Sequence, residues 1–450
     1  MSFRKHRIGA GVASASLIAA LALAACGSSS SSSASSSTTS GSSGTSTTAT
    51  QSTAGNTASA PGVTPTSITI GQIADISQPV PGLFKSAQVG IQAYAAYINA
   101  QGGIYGRKLI VDSRDTAFNP STIQTEAQDI SAHDFAFVGN YTLFDVAAKP
   151  AIDAAKIPNI GVPIGAALAN DPNTWSPVPS GNNDAALGPF EYFKQTDPSA
   201  MQNIGVIYAA ATPSAQEAYT VLQAVAGHLG MKITYARGFQ ANETTFDADV
   251  LKMKAAGVKF VWFDGPDNYT ATLNREFAQQ NFKPISYMTA GYGGNLIKLG
   301  GPAVEGVYLP LQTALFLGQD AKAVPVVATF DKYMNQIDAT DSIASWGATS
   351  WASGALFVQA LKNAGQNPTR VSLEAALNKI TNFDANGLVA PANPAANIPA
   401  ACWLLAQVKN GQVVRVAPSP SAGYICNPGD QLPIGGFTPD NARVNSTPTP

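Results

Sequence analysis

Between residues 67 and 163 short apolar strand patterns alternate with amphipathic helix patterns, and from residue 203 the alternation begins again. Ser67-Ile-Thr-Ile-Gly71 alternates apolar and polar positions and reads as a strand. From Ser86 the period becomes helical, with Ile91, Tyr94, Ala95 and Ile98 on one face. Lys108–Asp112 is the next strand. Asn119-Pro120 reads as an N-cap followed by proline at the first helical position, and the helix runs to about Ala132. Phe135–Val138 and Ile157–Val162 read as strands around a helix at about 144–155. A strand, helix, strand series of this kind calls for a parallel sheet with helices on both faces.

The glycines of Tyr97-Ile-Asn-Ala-Gln-Gly-Gly-Ile-Tyr-Gly106 raise the question of a phosphate loop. Such a loop follows a strand and opens a helix. These glycines do the reverse: they follow a helix and precede a strand. Gly102 or Gly103 is therefore expected in the left-handed conformation that ends a helix.

The second series has strands at 203–208, 231–236, 258–263 and 285–289. Its helices are expected over the stretch that buries Ala218, Leu222, Val225 and Leu229, then at 247–256 and 268–281. Two further helices are predicted at 346–363 and 371–381. Trp403–Val408 and Val413–Val416 flank Asn410-Gly411 and read as a β-hairpin.

The chain of 450 residues is long enough for two or three domains, and at 45% hydrophobic and 12% charged most of it can bury a core. Its N-terminus reads as a targeting segment. Arg4, Lys5 and Arg7 precede an apolar stretch from Ile8 to Ala25, and Leu23-Ala24-Ala25-Cys26 resembles a bacterial lipobox. The expectation is a signal peptide over 1–25, lipid on Cys26, and a Ser/Thr/Gly-rich tether through residue 66, too polar to offset the entropy of ordering. Loss of the three basic residues takes the net charge from −2 to −5, so no nucleic acid is expected as a partner. With Cys26 carrying lipid, Cys402 and Cys426 read as one disulfide in an oxidising compartment, the alternative being two buried thiols.

Parallel sheets bind ligands at the carboxyl ends of their strands. Those ends are the loops at Asp75–Phe84, Gly139–Leu143, Val162–Ala166, Tyr208–Ala211, Phe263–Pro266 and Thr289–Tyr292, expected to line one cleft. The candidate ligand contacts are Phe84, Tyr141, Thr142, Gly165, Ala166, Asn182, Tyr208, Asp264 and Tyr292. Catalytic equipment is thin. Of three histidines His6 lies in the leader, and neither His133 nor His228 has a nucleophile placed by a recognisable elbow. No zinc spacing, phosphate loop or dinucleotide fingerprint occurs, and no cofactor is expected.

The segment 97–106, with Ile68-Thr-Ile-Gly71, Asp115, Val138-Gly139, Lys156-Ile-Pro-Asn-Ile160, Lys254-Ala-Ala-Gly-Val-Lys-Phe260 and Glu305-Gly-Val-Tyr308, resembles the leucine/isoleucine/valine-binding family of ABC-importer solute receptors. The resemblance covers roughly 67–428. It implies an α/β type I periplasmic-binding fold, with two Rossmann-like lobes joined by three crossovers that close over a ligand by hinge motion. By that likeness the first lobe comprises 67–182 plus 315–395, the second 183–314 plus 396–428, and 429–450 is a loose tail. Amino-acid-binding members use hydroxyl residues of the first lobe and an acidic residue of the second. The corresponding positions here are Leu143, Ala166 and Gly291, with Thr142 beside the first.

The expected protein is thus a lipid-anchored, monomeric receptor on the outer face of the bacterial cytoplasmic membrane. It hands a small molecule to the permease subunits of an ABC importer. The departures at the hydroxyl and acidic positions point away from a zwitterionic α-amino acid, towards a hydrophobic acid, amide or aromatic metabolite. Asp264 is the group that would restore the ordinary ligand. The alternatives are a sensor domain feeding a membrane signalling protein and an extracellular hydrolase.

Overall fold

The computed structural model describes residues 53–77, 83–179, 184–210, 213–240, 243–289, 292–340, 343–398, 400–419 and 423–434. All belong to the unit Thr48–Pro450. Cys26, Asn182 and Gly291 lie outside the described residues.

The first half of the fold is built on β1 (Ser67–Ala74), α1 (Lys85–Ala100), β2 (Lys108–Asp115), α2 (Pro120–His133), β3 (Phe137–Val138), α3 (Lys149–Ala155), β4 (Asn159–Ile160), α4 (Ala166–Ala169) and β5 (Thr174–Trp175). The strands form one parallel sheet in the order β2-β1-β3-β4-β5, with Ile68 opposite Leu109 and Val138 opposite Ile160. Asn119 caps α2 as expected, its side chain accepting from the N–H of Ser121 and Thr122. At the end of α1 both Gly102 (φ 93°) and Gly103 (φ 78°) are left-handed, and the Gly103 N–H returns to the Ile98 carbonyl. A Cβ on Gly103 would lie 2.0 Å from the Arg107 carbonyl oxygen, so this turn admits no side chain.

The chain then crosses to the second half through β6 (Asp184–Ala186) and α5 (Gly188–Thr196). Next come β7 (Ile204–Ala209), α6 (Pro213–Leu229), β8 (Ile233–Phe239), α7 (Asp247–Ala255), β9 (Phe260–Asp264), α8 (Asp267–Gln279), β10 (Ile285–Met288), α9 (Gly294–Gly300) and β11 (Tyr308–Leu311). It returns to the first half for α10 (Pro325–Ile337), α11 (Ser345–Ala364) and α12 (Arg370–Leu377). It crosses a third time into β12 (Cys402–Lys409), β13 (Gln412–Ala417), β14 (Ile425–Cys426) and β15 (Gln431–Pro433). The second sheet has the order β13-β12-β11-β10-β9-β7-β8, and β12 runs antiparallel to both of its neighbours, β11 and β13. The expected hairpin turns at Asn410 and Gly411, both at positive φ.

Why α11 returns to the first half is legible in its small residues. A Cβ on Gly90 of α1 would lie 2.3 Å from the Gly347 carbonyl oxygen, and one on Gly354 would lie 2.5 Å from the Tyr94 ring. Larger residues at these positions would hold the two helices apart. The second and third crossings pair with each other: the Ala314 N–H donates to the Leu388 carbonyl (2.8 Å) and the Ala390 N–H to the Gln312 carbonyl (2.7 Å).

Two ends of the chain differ from expectation. Residues 53–66, expected within the tether, are tied to the body. Arg107 is fully buried and donates to the carbonyls of Thr57 (3.0 Å), Thr64 (2.7 Å) and Gln366 (2.6 Å) and to Asn367 Oδ1 (3.2 Å). Val63 packs into the core. One guanidinium satisfies several carbonyls at once, which offsets the ordering of a polar segment. Residues 431–433, expected within the loose tail, pair antiparallel with β6, Leu432 opposite Ala185. The disulfide between Cys402 and Cys426 holds the strand just before them, so little entropy is left to lose on pairing.

Candidate functional site

A cavity of about 510 Å³ lies between the first turns of α11 and one face of the second sheet. Strand alternation explains its lining. In β9 Trp262 and Asp264 project to the same face, and Tyr287 and Thr289 do so along β10, with Tyr287 in register with Trp262. The intervening Val261, Phe263 and Met288 belong to the core on the opposite face. Ala218, Leu222 and Val225 of α6 form a second wall, Ala185 to Phe190 a third, and Trp403 of β12 closes the far side. Ser345, Trp346 and Thr349 of α11 come from the first half, at the spacing that puts them on one helix face.

Among the lining residues Asp264 alone is charged. Its Oδ1 accepts from the Thr289 hydroxyl at 2.7 Å. Burial raises the pKa of the carboxyl, and the Thr289 hydrogen bond opposes that shift. No lysine or arginine of the lining answers a ligand carboxylate. A second polar group is Thr313, on the crossing strand after β11. It is 5% exposed, and its hydroxyl has no hydrogen-bond partner among the described residues. A buried hydroxyl without a partner is a cost to the fold.

The sequence candidates are distributed around this cavity rather than gathered in it. Asp264 lines it. Phe84 and Tyr141 are buried one layer back, where their rings pack on Trp346 at centroid distances of 5.5 and 5.4 Å. The Tyr141 and Thr349 hydroxyls share a hydrogen bond of 2.5 Å. Burial drives the Tyr141 pKa up. These two residues therefore orient Trp346 and Thr349. Tyr292 is buried in the core: its hydroxyl accepts from the Leu317 N–H (3.2 Å) and donates to Gln319 Oε1 (3.1 Å), and its carbonyl accepts from the Ser345 hydroxyl (3.0 Å). Tyr208 stacks on Tyr219 of α6 at 4.8 Å.

Thr142 and the loop around Gly165 face elsewhere. Thr142 lines a space of about 10 Å³ with Asn140, Asp145 and Asn159. Asp145 Oδ2 accepts from the N–H of Ile164 (2.7 Å) and Gly165 (3.1 Å), and burial lifts its pKa to about 6 against those bonds. The Leu143 N–H donates to Asp75 at 2.9 Å, and Ala166 opens α4. The polar groups of the first-half loops are thus used among themselves. The expected cleft of six loops is, among the described residues, a cavity on a sheet face supplied by two of them. Trp262, Tyr287, Trp346, Thr349 and Trp403 were not singled out from the sequence. The period-two pairing of Trp262 with Asp264 and of Tyr287 with Thr289 is the signal that finds the first two.

Two α/β halves joined by three crossings, with an open, largely apolar cavity between them and one carboxyl in its wall, define a small-molecule binding protein. Residues 67–412 match the family described as periplasmic binding protein, and the chain belongs to that family. The fold is the type I periplasmic-binding fold. The match ends within β13, so β14 and β15 lie beyond it. Leu/Ile/Val-binding protein homolog 1 of Brucella suis biovar 1 (strain 1330) is 26% identical over 298 residues, which cover 64% of this chain and 76% of that protein. Among solved structures, a fatty acid ABC transporter substrate-binding protein from Thermomonospora curvata is similar with a TM-score of 0.70 at 18% identity, over 82% of this chain and 95% of that one. The leucine binding protein LivK from Thermotoga maritima gives a TM-score of 0.66 at 16% identity, over 81% and 99%. None of the described helices is long and apolar enough to cross a membrane.

Proposed function

We propose that this protein is the extracytoplasmic receptor of an ABC importer, held at the membrane by lipid on Cys26, and that its ligand is a small amphiphile rather than a zwitterionic α-amino acid. The observation that carries the ligand class is the lining of the 510 Å³ cavity: aromatic and aliphatic walls with Asp264 as the one charged group. A buried ligand carboxylate would meet no cation there and would face Asp264 instead, at a cost of several kcal/mol. An amide, or an acid that shares one proton with the buried Asp264 and Thr289 pair, meets no such penalty. Its body would lie against Trp262, Trp346 and Leu222. The names of the two relatives, one for leucine, isoleucine and valine and one for a fatty acid, bracket this choice. Capture would work by closure of the two halves about the crossings, the liganded form being the one a permease recognises. The lobes would be those expected from the sequence, 67–182 with 315–395 and 183–314 with 396–428.

The test is calorimetry with leucine, isoleucine, valine and phenylalanine beside aliphatic and aromatic acids and their amides. Thermal shift serves as the first screen, since a ligand at 100 times its dissociation constant stabilises by about 2.7 kcal/mol. Acids or amides are expected to bind at least tenfold more tightly than leucine. Micromolar binding of leucine that is abolished in Asp264→Ala would overturn the ligand class.

A further inference from the structure

The segment from Cys426 to Ile434 lies outside the region shared with the family and behaves as a strap across one wall of the cavity. The disulfide fixes its start. The Asn427 N–H donates to the Ala401 carbonyl at 3.1 Å. Beyond it Asp430, 7% exposed, binds in three directions. Its carbonyl accepts from the Leu187 N–H (2.7 Å), its Oδ1 from the Asn427 side-chain amide (2.5 Å), and its Oδ2 from the Trp403 indole N–H (3.4 Å). β15 then pairs along β6, with Gln431 opposite Ala186. Ala185, Ala186, Phe190 and Trp403 all line the cavity, so the strap grips the back of that wall. The start of α5 packs close beside this contact: a Cβ on Gly188 would lie 2.0 Å from Trp403 Nε1 and 2.8 Å from Asp430 Oδ2.

The sheet order sets a length. Asp264 is on β9 and Trp403 on β12, with β10 and β11 between them. Three strand spacings are about 14 Å, which is roughly the span of four extended residues and more than a single amino acid fills.

We propose that the ligand is an elongated amphiphile whose polar end meets Asp264 and whose apolar tail reaches Trp403, and that Asp430 is the positioning residue that holds this far wall in shape. The proposal rests on the cavity being the ligand site. Asp430 touches the ligand nowhere; it acts through the indole of Trp403 and through Leu187. Its loss therefore weakens binding of molecules long enough to reach the wall and spares short ones. A residue that merely stabilises the fold would weaken both alike.

Straight-chain carboxylic acids from six to twelve carbons, and their amides, are the probes, measured by calorimetry on the full chain. In the unsubstituted protein, affinity is expected to rise about fourfold per methylene as apolar surface is buried, up to the length that reaches Trp403. In Asp430→Ala the six-carbon probe keeps its affinity and the gain over the last few methylenes is lost, tenfold or more. Asp430→Asn retains an acceptor for the indole and restores most of that gain. If Asp430→Ala does not fold, the Cys402→Ser/Cys426→Ser double variant, which frees the start of the strap, takes its place with the same expectation. Equal dependence on chain length in variant and parent would overturn the strap's role and leave the ligand class standing. Absence of binding by every acid and amide in the parent protein would overturn the ligand class itself, and the proposal with it.

Discussion

Replacement of Asp145 by Asn is expected to stabilise the protein at neutral pH, although it removes a hydrogen-bonded carboxylate. Asp145 is 5% exposed, and burial raises its pKa to about 6 even though the Ile164 and Gly165 N–H groups hold it down. In the unfolded chain an aspartate titrates near 3.9. The folded state therefore holds the proton more tightly, and stability falls as pH rises from about 4 to about 6, then levels off. Two pKa units correspond to about 3 kcal/mol. An asparagine oxygen still accepts from Ile164 and Gly165, and the variant has no proton to lose. Urea denaturation of both proteins at pH 4, 5, 6, 7 and 8 gives the difference in stability at each pH. That difference should grow by up to about 3 kcal/mol in favour of Asn between pH 4 and 7 and stay constant above. A difference that does not change with pH, or a variant less stable than its parent at pH 7, would refute the account of the 145 and 164–165 contact.

Three other outcomes follow from the same structure. Thr313→Val removes a buried hydroxyl without a partner, so the unliganded protein should unfold at equal or higher urea, by up to about 1 kcal/mol; a clear loss would show that the hydroxyl is bonded. The Cys402–Cys426 crosslink closes a loop with a sequence separation of 24, and its removal by double serine substitution should cost about 3–4 kcal/mol; free thiols in a non-reduced digest of exported protein would contradict it. Arg107→Ala strands the carbonyls of Thr57, Thr64 and Gln366 and should cost about 3–5 kcal/mol. Arg107→Lys should lose most of that as well, since the three donors of an ammonium radiate from one nitrogen and cannot reach three carbonyls spread around a planar guanidinium. Protease cleavage within 53–66 reads out the freed segment.

The parallel framework was legible because its signals are local. Asn119 before Pro120, the buried spacing of Ile91, Tyr94, Ala95 and Ile98, and the glycines that end α1 each act within a turn or two of chain. The candidate site was harder to read because its cavity is lined from a sheet face. Loop position singled out Tyr141 and Phe84, and both turn inward to hold Trp346, a residue more than 200 positions away. Thr313 carries no motif; it matters because a crossing strand buries it. The ordered stretches at 53–66 and 429–434 were missed for a related reason. Their composition is that of a tether and a tail, and what orders them is distant in sequence: the guanidinium of Arg107 for one, and Ala185, Leu187 and Trp403 for the other.

The central claim is that the ligand lies on the sheet face between α11 and β9–β12. A crystal structure of the protein with the tightest-binding acid or amide tests it most directly. The account predicts density for the polar end within hydrogen-bond distance of Asp264 or Thr289, with the body against Trp262 and Trp346. A ligand bound instead among Thr142, Gly165 and Ala166, at the carboxyl ends of the first sheet, would contradict it.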